Sequence, residues 1–117
     1  WVLAGLGAHI AGAAITPLNT RLKGREAGDI LRRSYARLLV ATERFMGFDF
    51  PAMIEGETLP DLTGIVRIDG AGADNWNAFV ATGGGHDDPA VDRAEAAVGP
   101  DDLSDIMFTS GTTGSPK

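Results

Sequence analysis

The chain has 117 residues, 44% hydrophobic and 22% charged, proportions of a globular protein that exclude wholesale disorder. Its net charge is −6, which argues against nucleic acid as a partner, because neutralising phosphates requires clustered Lys and Arg. It contains no cysteine, which excludes disulfides, thiolate metal sites and a Cys nucleophile and fits a cytoplasmic setting.

The length suits one domain. The sequence opens on Trp1 and stops at Lys117 inside a Gly/Ser/Thr-rich run, so a piece cut at both ends is expected. Charge is uneven. Residues 1–44 carry seven bases against three acids, and the rest carries three bases against thirteen acids.

Residues 1–11 are small and apolar all round, which predicts a helix packed inside a larger domain. The stretch is too short for a membrane span of about 20 residues. Gly12 and Pro17 bracket 13–16, a short apolar run read as a buried strand. Asn19 and Thr20 supply turn chemistry. Over 25–34, Ala27, Ile30 and Leu31 share one face while Arg25, Glu26, Asp29 and Arg32 face water, the pattern of an amphipathic helix. The basic set Arg21, Lys23, Arg25, Arg32 and Arg33 reads as its solvated face. Residues 38–41 form another short buried strand.

Residues 43–54 predict a short helix or irregular segment, with Phe45, Phe48 and Phe50 packing inward. Residues 63–68 read as a strand, 70–74 as turns and 76–81 as a helix of one or two turns. Residues 83–89 (GGGHDDP) have the composition of a flexible loop. Residues 100–103 lead into a strand at 105–109 centred on Ile106, Met107 and Phe108. Alternating helices and short apolar strands predict an α/β architecture with a largely parallel sheet.

The segment richest in chemistry is Thr109-Ser110-Gly111-Thr112-Thr113-Gly114-Ser115-Pro116-Lys117. Its glycines let a polyanion approach the backbone. Exposed N–H groups and hydroxyls donate to phosphate oxygens, and Lys117 adds a positive charge. The spacing is not that of a Walker A loop, because the fifth position after Gly111 is Pro116. Gly5-Leu6-Gly7 lacks the third glycine of a dinucleotide fingerprint.

The string Thr-Ser-Gly-Thr-Thr-Gly-x-Pro-Lys resembles the phosphate-loop signature of the adenylate-forming superfamily, which includes acyl-CoA synthetases, nonribosomal peptide adenylation domains and beetle luciferases. Residues 101–108 are similar to that family's lead-in strand. Far upstream, the segment from Gly12 through Pro17-Leu18-Asn19 to Leu22 resembles its Gly-Ala-x-x-x-Pro-Leu-Asn stretch. Residues 43–98 match weakly. Pro17-Leu18-Asn19-Thr20-Arg21, followed by Lys23-Gly24-Arg25-Glu26-Ala27, looks closest to acyl-CoA synthetases of the bacterial FadD (fatty-acid–CoA ligase) type, and among them to members acting on intermediates of steroid-ring degradation.

The resemblance implies a partial N-terminal domain of an enzyme that uses ATP to convert a carboxylic acid to an acyl-adenylate. It then transfers the acyl group to coenzyme A. The alternatives are an adenylation domain or luciferase-like relative with a different acceptor, or a non-catalytic protein that keeps the loop. Carried over by position, Thr109, Ser110, Thr112 and Thr113 would donate to the β- and γ-phosphates, and Gly111 and Gly114 would turn the loop. Lys117 would be the catalytic residue, offsetting charge on the leaving pyrophosphate. Mg²⁺ would accompany ATP, with its carboxylate ligand beyond residue 117, as would the remainder of the enzyme and its C-terminal domain. The fragment alone should be inactive and is not expected to fold stably by itself.

Ordering the nine loop residues costs about 1–2 kcal/mol each, and each hydrogen bond to a charged group returns about 1.5–3 kcal/mol. High mobility at 110–117 is therefore expected without nucleotide. Other chemistry-bearing residues read as structural. His9 belongs to a packed helix. His86, Asp87 and Asp88 are too close in sequence to converge on one metal ion. Asp101, Asp102 and Asp105 suit turns and caps, and Trp76 suits packing.

Overall fold

The computed structural model describes residues 1–83 and 88–109. In chain order its elements are α1 (Val2–Ile10), α2 (Gly24–Arg33), β1 (Leu38–Ala41), β2 (Arg44–Phe45), β3 (Phe48–Asp49), α3 (Phe50–Met53), β4 (Gly64–Arg67), α4 (Trp76–Ala81) and α5 (Pro89–Ala97). The chain divides into two units, Trp1–Pro17 with Gly83–Met107, and Leu18–Thr82 with Phe108 onward.

The second unit holds the core. In α2 the apolar face buries Ile30 and Leu31, which join Pro51, Ile54 and Val66 as buried apolar side chains. Glu26 in the first turn accepts from the Lys23 backbone N–H at 2.8 Å, and Arg32 and Arg33 occupy the last turn, so charge opposes the macrodipole at each end. The helix stops in a Schellman arrangement. Ala36 N donates to Leu31 O at 3.0 Å and Tyr35 N to Arg32 O at 3.2 Å, with Tyr35 left-handed at φ 53°. This is the position that glycine usually fills.

β1 and β4 pair in parallel, in register from Leu38↔Gly64 to Ala41↔Arg67. β2 and β3 form an antiparallel hairpin closed by Met46 and Gly47, both at positive φ, as a two-residue type I′ turn requires. Asp49 caps α3 by accepting from Ala52 N at 2.9 Å, and Asn75 caps α4 by accepting from Ala78 N at 2.8 Å. Trp76 and Phe79 pack with ring centroids 6.2 Å apart.

In the first unit α5 lies against α1. Asp88 caps α5 by accepting from Ala90 N, and Pro89 fits the first turn, where its missing N–H costs nothing. Ile15 makes a single parallel bridge to Asp105.

The α/β reading with parallel pairing holds, and 38–41 and 76–81 match their predicted spans. Several expectations need correction. α1 forms as expected, and within residues 1–117 none of its residues is buried, Leu3 being 71% exposed. Residues 13–16 and 105–109 reduce to one bridge, because each pairs through a single residue. Phe45 and Phe48 stand largely exposed on the hairpin, whose two-residue strands carry them away from the core. Arg32 is not merely solvated, since its Nη1 donates to Thr58 O at 3.1 Å and meets Glu57 Oε2 at 3.4 Å. Helix α5 falls where no element was expected. Of the expected flexible loop, 84–87 lie outside the described residues.

Candidate functional site

The predicted phosphate loop is described only at its first residue, Thr109. Ser110, Gly111, Thr112, Thr113, Gly114 and Lys117, and the mobility expected of them, lie outside the described residues. What the structure supplies is the approach to the loop.

Within the first unit that approach joins the two segments singled out in the sequence. Ile15, from the upstream Gly-Ala-x-x-x-Pro-Leu-Asn stretch, donates its N–H to Ser104 O at 2.8 Å, and its carbonyl accepts from Ile106 N at 2.9 Å. One residue bonding to both neighbours of its partner is the parallel-strand pattern. Ser104 O also accepts from His9 Nε2 at 3.2 Å, so His9 is a structural donor that ties α1 to the lead-in.

Of the acidic residues beside the lead-in, Asp102 supplies the expected turn chemistry, whereas Asp105 lies in the bridge to Ile15. Asp102 Oδ2 accepts from Gly99 N at 2.8 Å, and Asp105 Oδ2 accepts from Ser104 Oγ at 2.7 Å. Among the described residues no group of three His, Asp or Glu side chains is arranged to hold a metal ion.

In the second unit, Phe108, the residue before Thr109, lies under the Arg33 guanidinium, with Cζ 4.9 Å from the ring centroid. Arg33 Nη1 is 3.4 Å from Asp29 Oδ2 one turn earlier in α2. Nothing in the helical periodicity reveals this pairing, because Arg33 falls on the polar face of α2.

The carboxyl ends of the parallel strands carry a second polar cluster that the sequence did not disclose. Asp69 Oδ1 accepts from Glu43 N at 2.6 Å and Oδ2 from Thr42 Oγ1 at 2.7 Å. These donors, the Glu43 amide foremost, hold the Asp69 carboxyl below the ordinary aspartate range. Next to it, Arg67 is ion-paired with Asp74. The Asp69 bonds join the turn after β1 to the turn after β4, where parallel sheets commonly place ligands. Here each carboxylate oxygen accepts a hydrogen bond from the turn after β1, so the cluster reads as a clamp.

The family profile described as AMP-binding enzyme matches residues 1–117. The chain belongs to the AMP-binding enzyme family. Its curated relatives include a Mycobacterium tuberculosis protein named 3-[(3aS,4S,7aS)-7a-methyl-1,5-dioxo-octahydro-1H-inden-4-yl]propanoyl:CoA ligase. It is 49% identical over 118 residues, covering 100% of this chain and 23% of that protein. A Rhodococcus jostii protein of the same name is 42% identical over 125 residues, covering 100% of this chain and 24% of its own length. The crotonobetaine/carnitine--CoA ligase of Citrobacter koseri is 31% identical over 106 residues, covering 91% of this chain and 20% of its own. This AMP-binding enzyme chain thus spans about a quarter or less of the length of those relatives. No solved structure matches it. No helix among the described residues is long and apolar enough to cross a membrane.

Proposed function

We propose that the complete protein is an AMP-forming acid–thiol ligase. It activates a carboxylic acid with ATP and transfers the acyl group to coenzyme A. The observation that carries this reading is the 49% identity, over the whole chain, to a protein named as a CoA ligase. The loop string 109–117 supports it from the chemistry side.

In this reading an acid oxygen attacks the α-phosphorus and pyrophosphate leaves. The CoA thiolate then attacks the acyl carbon and AMP leaves. Thr109, Ser110, Thr112 and Thr113 donate to the β- and γ-phosphates, Gly111 and Gly114 let the backbone close on them, and Lys117 offsets the charge of the departing pyrophosphate. Mg²⁺ accompanies ATP. Its carboxylate ligand would come from the remainder of the enzyme. The remainder of the enzyme, with its C-terminal domain, supplies the acid pocket, and residues 1–117 alone do not turn over. The setting is cytoplasmic, where ATP and CoA are available.

For the substrate we propose a propanoate carried on a methylated, diketone-bearing fused bicycle. The support is that two relatives matching the whole chain are named for such an acyl group. The test is acid-dependent ATP–pyrophosphate exchange by the complete protein, comparing that acid with fatty and aromatic acids, with and without CoA. Exchange with the bicyclic acid and CoA-dependent AMP release are expected. A folded protein that binds ATP but exchanges with no acid would overturn the ligase reading, and exchange confined to fatty acids would overturn the substrate. Within the loop, Lys117→Ala should slow exchange about ten- to a hundredfold, the worth of one charge-assisted hydrogen bond.

A further inference from the structure

The hairpin of β2 and β3 exposes large apolar side chains on a frame that its own bonds hold poorly. Phe45, Met46 and Phe48 are 48%, 79% and 56% exposed. Each strand has two residues, paired only as Arg44↔Asp49 and Phe45↔Phe48. An isolated two-stranded hairpin is marginally stable at best in water. Its turn also holds Met46 at φ 52°, a left-handed backbone that residues other than glycine adopt at a cost. The root is firm by contrast. Just before β2, Thr42 Oγ1 and Glu43 N both donate to Asp69. At the end of β3, Asp49 caps α3, where Pro51 is buried. The hairpin is therefore a fixed prong with an apolar tip, the kind of feature that another surface covers.

Size decides which surface fits. The three side chains offer roughly 300–400 Å² of apolar area, well below the roughly 800 Å² per partner of a stable complex. A separate molecule would also lose translational and rotational freedom on docking. A segment of the same polypeptide loses none. This chain covers only 23% and 24% of the two relatives that match its whole length, so a protein of that length has ample chain to supply the covering surface. Helix α1 is exposed as well, but its own backbone bonds and the tie from His9 to Ser104 hold it without further contacts. We propose that the β2–β3 hairpin is an intramolecular docking element. In the complete protein Phe45, Met46 and Phe48 fill an apolar recess formed by the remainder of the enzyme, and that contact holds the Met46 turn in its left-handed form.

The test uses the complete protein and two readouts. The first is the rate at which hydrogen peroxide oxidises Met46, followed by mass spectrometry, with the urea-unfolded protein as the fully exposed standard. The native rate should be at least about tenfold slower, and it should not change over about a hundredfold range of protein concentration. The second is urea unfolding of Met46→Asp and Met46→Leu. Aspartate tolerates the left-handed backbone, so its effect reports burial of a charge and not turn strain. Met46→Asp should lower the folding equilibrium constant at least about tenfold, and Met46→Leu should stay within about threefold of wild type. Native oxidation within about twofold of the unfolded rate would overturn the proposal. So would a Met46→Asp variant as stable as wild type. Protection that appears only as protein concentration rises would place a second copy on the hairpin, and protection that appears only with anionic lipid vesicles would place a membrane there. Either result overturns docking within one polypeptide.

Discussion

The two units of this chain contain the same kinds of residue and bury them to different degrees. In residues 18–82, Ile30, Leu31, Ile54 and Val66 are at most 5% exposed. Among the described residues of the first unit none is buried. Trp1 and, in α1, Val2, Leu3 and Leu6 are exposed, and the segment after α1 and the end of α5 line an open cleft with Ala11, Ala14, Ala94 and Ala97. Hydrophobic content alone therefore does not make a core. Periodicity does, because α2 gathers its apolar residues on one face while α1 spreads them all round.

That contrast can be tested most sharply at Leu31. In the complete protein Leu31→Ala should cost about 2–5 kcal/mol by urea unfolding, the usual penalty for emptying a buried leucine site. A cost below about 1 kcal/mol would mean that Leu31 is not core. Gly24→Ala should come next, at about 1–3 kcal/mol, because a methyl group there collides with the Met53 backbone carbonyl, which cannot rotate aside. At the other end of the comparison, Leu3→Ser with Leu6→Ser in the complete protein should cost less than Leu31→Ala by the same urea unfolding, since residues 1–117 bury neither leucine. It should also lower self-association measured by light scattering. A penalty matching that of Leu31→Ala would show that α1 is packed and would erase the contrast.

Acid provides a fourth probe, directed at the clamp between the turns. The folded pKa of Asp69 lies below its unfolded value of about 3.9. Its contribution is therefore fully present above that value and is lost as pH falls through the folded pKa. Asp69→Asn should lower stability at neutral pH and flatten its decline as pH falls below the ordinary aspartate range. Identical acid profiles for variant and wild type would show that the clamp contributes nothing.

Much of the second unit was legible because its signals are local. The face defined by Ala27, Ile30 and Leu31 identified α2, and runs of β-branched and leucine residues identified β1 and β4. The hairpin was not legible. Its turn uses Met46 before Gly47 in place of the Asn or Asp that usually marks such a turn. Helix α5 was overlooked although Asp88 and Pro89 form a recognisable start signal, because the glycine-rich run before it dominated the composition. At the candidate site, the loop string and its upstream counterpart could be read as motifs. Their pairing through Ile15 could be seen only in three dimensions, and the Arg33–Phe108 contact joins residues whose types carry no such instruction.

The bond from His9 to Ser104 joins residues 95 positions apart, whereas the β1–β4 region closes over 26, from Arg37 to Thr63. Closing the longer loop in an open chain costs about 1 kcal/mol more, and distant contacts form late. During synthesis, α1 and Ile15 must wait for residues 104–106 to emerge before meeting their partners. The second unit, contiguous but for its last residues, can collapse in the meantime and shorten the search. The approach to the phosphate loop therefore forms later than the β1–β4 pairing.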